Sequence, residues 1–137
     1  MRGGLFFLMV FLPVLLLSQY RLEVEAVGVA SSEGSIEVAI YREEAGFLKT
    51  EYVFRNAGAQ ATEGMTRVVF ESLPEGQYAL AVFHDENGND ELDTNWIGIP
   101  KEPFGFSRAR MKTFGPPKFH ECVITLNEDL VVQVPLE

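Results

Sequence analysis

Apolar and polar residues alternate through most of the chain, and the period is two. Leu22, Val24 and Ala26 alternate with Arg21, Glu23 and Glu25, the pattern of a half-buried strand. Ser31–Ser35 turns the chain. Ile36, Val38 and Ile40 then alternate with Glu37, Ala39 and Tyr41, giving a second strand. Arg42–Lys49 is an acidic connection that fits a helical turn as well as a loop. Thr50–Phe54 is weakly strand-like, and Asn56–Gly64 reads as loop. Thr66–Ser72 is a strand with Val68 and Phe70 on one face. Leu73-Pro74-Glu75-Gly76 is a tight corner with Pro and Gly where a type II turn wants them.

Gln77–Phe83 departs from the alternation. It is apolar at nearly every position, so both its faces need cover, and it is expected to be the central strand. Tyr78, Leu80 and Val82 should share one buried face, with Ala79, Ala81 and Phe83 behind. A long irregular loop follows, to about Pro117. Phe119–Leu126 and Leu130–Leu136 alternate again, with Asn127-Glu128-Asp129 as a hairpin turn. Cys122 falls on the face of Ile124 and Leu126, which predicts a buried, inert thiol. About seven short strands and no long helical period predict an all-β chain forming one antiparallel β-sandwich.

The first residues break this pattern differently. Arg2 precedes an apolar run, Leu5–Leu17. About 13 residues is short for a bilayer span and suits the core of an export signal. Residues 1–18 therefore read as a signal peptide and 19–137 as a single domain, exported to the periplasm or the cell exterior. No span would remain in the mature chain. A single cysteine allows no internal disulfide. The chain carries 11 basic and 20 acidic residues, a net charge of −9. That balance argues against nucleic acid, which needs a basic surface, and against docking on anionic lipid.

The acids concentrate in His84–Ser107. Asp85, Asn87, Asn89, Glu91, Asp93 and Asn95 stand at alternate positions. Calcium takes six to eight oxygen ligands, and helix–loop–helix sites draw them from loop positions 1, 3, 5, 7, 9 and 12. Counted from Asp85, positions 1, 3, 5 and 9 are Asp85, Asn87, Asn89 and Asp93, and Glu91 at position 7 offers its carbonyl. Position 12 is Trp96, so the bidentate glutamate is missing; Asn95, or Glu102 folding back, would fill the gap. No amphipathic helix flanks the loop, so this is no EF-hand. The bland alternative is a solvated polar turn, since Asp, Asn and Gly are what tight turns use. Five carboxylates from Asp85 to Asp93 repel one another unless a cation or solvent compensates. The reading taken here is a weak calcium site.

Weaker candidates surround it. His84 is a strand-end residue bonded to a backbone carbonyl, or, with His120 and Cys122, part of a transition-metal site. Trp96, Ile97, Ile99, Phe104 and Phe106 either pin the loop to the sheet or present an aromatic surface, chiefly Trp96, Phe104 and Phe106, to a sugar ring or peptide. Asp93 and Glu102 would be the acid pair of a glycoside hydrolase, and Ser107, His84 and Asp85 a nucleophilic set. No G-x-S-x-G, H-E-x-x-H or phosphate loop occurs. Two function classes stand. The first is a non-enzymatic module acting on an envelope protein or glycan. The second is a small extracytoplasmic hydrolase using the acidic loop.

Leu73–Ser107, LPEGQYALAVFHDENGNDELDTNWIGIPKEPFGFS, resembles the signature of a bacterial exported family, domain-of-unknown-function family 2141. The turn-and-strand L-P-x-G-x-Y-A, the run H-D-x-N-x-N-x-x-L-D-x-N and the closing G-F-S carry the likeness. Pro116–Leu126, PPKFHECVITL, is similar to the family's P-x-F-x-x-A-x-F-x-L strand, with Cys122 where alanine is usual. Phe47–Met65 departs most. The resemblance implies a small immunoglobulin-like or transthyretin-like sandwich and no established activity. The leader reading predicts that protein recovered from its native compartment has lost residues 1–18 by intact-mass measurement, whereas retention of Met1–Leu17 would overturn it.

Overall fold

The computed structural model describes residues 3, 4, 8, 10, 17–89 and 101–137. Most of the expected leader lies outside them, as do Glu91, Asp93, Asn95, Trp96, Ile97 and Ile99. The described chain is all-β, with eight strands in two sheets. The strands are β1 (Gln19–Val29), β2 (Ser35–Tyr41), β3 (Arg55–Gln60), β4 (Gly64–Pro74), β5 (Gly76–Asp85), β6 (Phe104–Phe106), β7 (Val123–Leu126) and β8 (Leu130–Pro135). One sheet runs β4-β1-β8; the other runs β3-β2-β5-β6, with β7 also on β5.

Strand β5 is central, as its composition predicts. Strand β2 lines one edge from Ala79 to Asp85. The other edge is shared: β7 pairs with Gly76–Ala79 and β6 with Ala81–Phe83. Neither strand reaches Leu80. Ser107 fills that position. Its N–H donates to the Leu80 carbonyl at 3.1 Å. Its Oγ accepts the Leu80 N–H at 2.9 Å and donates to the Cys122 carbonyl at 2.5 Å. A buried backbone pair left without partners is costly, so one hydroxyl completes a strand edge.

Both faces of β5 are covered. Inward, Tyr78, Leu80 and Val82 join Ile36, Val38 and Ile40 of β2 and meet Leu22, Val24, Val68 and Phe70 of the opposite sheet in one core. Each of these side chains contributes roughly 1.5–3 kcal/mol by leaving water. Outward, Ala79 lies in a second, smaller core with Phe106 and Cys122, against which Phe47, Met111 and Phe119 pack. Farther along this face, Ala81 and Phe83 are only half-buried.

The two sheets are also joined along one side. Phe104 and Glu137 exchange backbone hydrogen bonds, Phe104 N–H to Glu137 carbonyl at 3.3 Å and the reverse at 2.9 Å. The approach is close enough that a Cβ at Gly105 would stand 2.4 Å from the Pro135 carbonyl oxygen, so no side chain fits there. Among the described residues, no helix is long and apolar enough to cross a membrane.

Several sequence expectations need correction. The stretch Phe119–Leu126 is not one strand: Phe119–Cys122 forms a helical turn before β7. That turn carries Cys122 into the outer core, away from Ile124 and Leu126, which face inward. Asn127–Asp129 is no hairpin, because β7 joins β5 while β8 crosses to the other sheet and pairs with β1 in parallel. A purely antiparallel arrangement is thereby excluded. Asn56–Gly64 is largely strand, since its backbone pairs with β2 although its side chains are small and polar. Thr50–Tyr52 is a 3-10 turn. At the Leu73–Gly76 corner the left-handed residue is Ser72, φ 55°, so the corner is not type II. It switches sheets and joins no paired strands.

Two substitutions measure this arrangement by urea denaturation. Leu80→Ala is expected to lower stability by about 2–5 kcal/mol through a core cavity. Ser107→Ala is expected to cost about 1–3 kcal/mol by orphaning the buried Leu80 N–H. An unchanged midpoint in either would contradict the placement.

Candidate functional site

Strand β5 ends in His84 and Asp85, neither of which has any solvent exposure. Alternation sends them to opposite faces. His84 continues the inward row of Leu80 and Val82, and Asp85 the outward row of Ala81 and Phe83. The turn before β2 holds both. Glu33 offers its carbonyl to His84 Nε2 at 2.6 Å. A carbonyl only accepts, so Nε2 carries the hydrogen in this contact. Nδ1 is buried, has no hydrogen-bond partner among the described residues and lies 3.8 Å from Glu86 Oε1. Gly34, φ 68°, touches the Asp85 backbone so closely that a Cβ would sit 1.9 Å from its carbonyl oxygen.

Beyond Asp85 the loop folds back on that residue's carboxylate. Asp85 Oδ1 accepts the Gly88 N–H at 3.0 Å and the Asn89 N–H at 3.2 Å. Asn87 Oδ1 accepts the same Asn89 N–H at 3.2 Å. Oxygens from positions 1 and 3 of the expected set thus converge on one amide. Gly88 adopts φ 71°, the left-handed bend that tightens the turn.

The returning limb closes the base. Pro103 accepts the His84 N–H at 2.9 Å, one residue before β6 begins. Glu102 is 8 % exposed and its Oε1 accepts the Glu86 N–H at 3.2 Å. Buried carboxylates therefore stand at both ends of the loop, Asp85 on the outgoing limb and Glu102 on the returning one. Among the described residues, no three His, Cys, Asp or Glu side chains form a group able to hold a metal. Glu91 and Asp93 lie outside those residues. The holding roles of Glu33 and Gly34 escaped sequence reasoning. One acts through its carbonyl and the other through a missing side chain, and neither leaves a polarity signal.

Other candidate sets are not brought together. Ser107 is buried beside Leu80, with its hydroxyl engaged on two backbone groups. His84 stands four residues farther along β5, about 13 Å at strand spacing. Cys122 and His120 lie on the turn packed near Ala79, five residues from His84. The His84 contact with a backbone carbonyl is the one the sequence favours. Phe106 is buried and packs edge-on against half-buried Phe104, ring centres 5.8 Å apart. Phe104 and Phe106 also line an open cleft of about 1150 Å³ whose floor includes Ala39 and Ala81, opposed across β2 and β5.

Burial pushes the Cys122 thiol up to about 11, aided by the neighbouring Glu121. The thiolate is the reactive form. Native protein at pH 8 is therefore expected to resist a maleimide and react fully in denaturant; rapid native labelling would refute the buried placement.

The chain matches the model of a family described as uncharacterized protein conserved in bacteria, DUF2141, over residues 24–133. No curated protein and no solved structure matches it. The matched span includes strands β2 to β7 whole, the acidic loop and the Ser107 junction. The chain belongs to this family of bacterial proteins of uncharacterised function, DUF2141.

Proposed function

We propose that this is an exported, non-enzymatic module of the immunoglobulin-like or transthyretin-like sandwich type, with a calcium-ordered loop, serving an envelope protein or glycan. The observation that carries the reading is the convergence at the end of β5. A wholly buried Asp85 is fixed by the sheet, Asn87 is turned onto the same amide, and Glu102 returns buried to the loop's base. A hard cation suits oxygen donors of this kind. Asp85, Asn87, Asn89, the Glu91 carbonyl and Asp93 are the proposed ligands, and Glu102 replaces the missing twelfth-position glutamate. The pairing of Phe83 with Phe104 and the Pro103–His84 bond hold the two limbs together. The cleft beside Phe104 is the proposed contact surface for the partner.

An affinity of roughly 10⁻⁴–10⁻³ M is expected, the range of extracellular modules. At ten times Kd, calcium would stabilise the fold by about 1.4 kcal/mol, a shift of a few degrees in Tm. Magnesium should do less, because it demands stricter octahedral geometry. Asp85→Ala and Asp93→Ala are each expected to abolish the calcium increment, while Glu86→Ala retains it. Millimolar calcium that leaves both melting and loop proteolysis of the wild type unchanged would end the proposal.

A further inference from the structure

Between Pro103 and His120 the chain carries no acid and four bases, Arg108, Arg110, Lys112 and Lys118, out of 11 in the whole sequence. This segment connects β6 to the helical turn before β7. It leaves the sheet at Arg108, whose φ is 59°. Ala109, Met111 and Phe119 pack against the outer core, so both limbs are anchored. Between them Lys112 and Gly115 exchange backbone hydrogen bonds, at 2.9 and 3.3 Å. That closed turn lifts Thr113 and Phe114 to its tip. Phe114 is wholly exposed, the most exposed large apolar side chain among the described residues.

We propose that this excursion is a membrane-surface anchor: Phe114 inserts at headgroup depth and Arg108, Arg110, Lys112 and Lys118 engage anionic phospholipid. The whole-chain charge, which argues against anionic lipid, does not describe this segment. Residues 108–121 hold four bases against one acid, Glu121. That acid stays ionised, because the hydrogen bond from Lys112 holds its carboxyl below the usual range. Two of the bases have partners, Lys112 with Glu121 and Arg110 with Glu137. Exposed pairs of this kind contribute little, and lipid phosphates can take their place. Arg108 donates to the Val123 carbonyl, which leaves its charge uncompensated by any carboxylate among the described residues. The full exposure of one aromatic ring among bases favours lipid over a protein partner. Such a turn fits a fluid interface, where aromatic side chains settle at the headgroup boundary and cations gather near anionic lipid.

The test places a nitroxide beside Phe114 through Thr113→Cys in the full chain. The buried Cys122, its thiol pushed up to about 11, leaves the new cysteine as the one labelled. On vesicles of phosphatidylcholine with phosphatidylglycerol, the label should gain accessibility to oxygen and lose it to a water-soluble nickel chelate. On phosphatidylcholine alone it should stay in water. Adding Lys118→Gln should weaken the phosphatidylglycerol-dependent binding roughly fivefold, the loss expected for one cation near an anionic surface. Adding Phe114→Ser should keep the label in water without moving Tm. The apolar Leu5–Leu17 run is common to every variant and cannot produce these differences. A label that remains in water on phosphatidylglycerol vesicles overturns the proposal, even where the chain itself binds. So does equal immersion on both lipids. Binding to an acidic protein without label immersion would point to that partner class instead.

Discussion

The backbone N–H and carbonyl of Leu80 sit where β6 has ended and β7 has not begun. Their partners are the Ser107 hydroxyl and amide, and the same hydroxyl holds the Cys122 carbonyl. Three elements remote in sequence are fastened at that point: the central strand, the end of the long loop and the helical turn. A strand buried on both faces tolerates no unpaired backbone. The position of Ser107 therefore fixes where the loop must return, and with it where Glu102 and Pro103 stand relative to His84 and Asp85.

How much of this the sequence discloses depends on the kind of signal each element leaves. Gln77–Phe83 announces a central strand because burial on both faces requires continuous apolarity, and its inward row is as expected. Strands β1 and β2 are equally plain. Strand β3 is not, because RNAGAQ has the composition of a loop and is a strand only through its hydrogen bonds to β2. The pairing of β7 and β8 is illegible for a related reason. Alternation says that a segment is half-buried, and it does not say against which sheet. A short polar connection serves a hairpin and a crossing equally well. At the candidate site, the alternation of acids and amides singles out Asp85 and Asn87, which accept the same Asn89 N–H, while Gly34 acts through an absent Cβ and Glu33 through its backbone.

Charge divides this molecule by position. Asp85, Glu86 and Glu102 gather at the end of the central strand. The basic excursion leaves from Ser107, beside Leu80 near the strand's middle. A net charge of −9 is a sum over the whole chain, and such a sum hides the run of four bases between Arg108 and Lys118 that a partner would meet.

The parallel pairing of β1 with β8 bears on the order of assembly. Strand β1 needs β8 to complete its sheet. A chain emerging N-terminus first therefore shows an open β1 edge until Leu130–Pro135 has been released. Loop closure over such a separation is entropically late, and folds dominated by distant contacts form slowly. Partly emerged chains would expose that edge to other chains, so a holding factor that masks extended segments during biosynthesis would have most to do here.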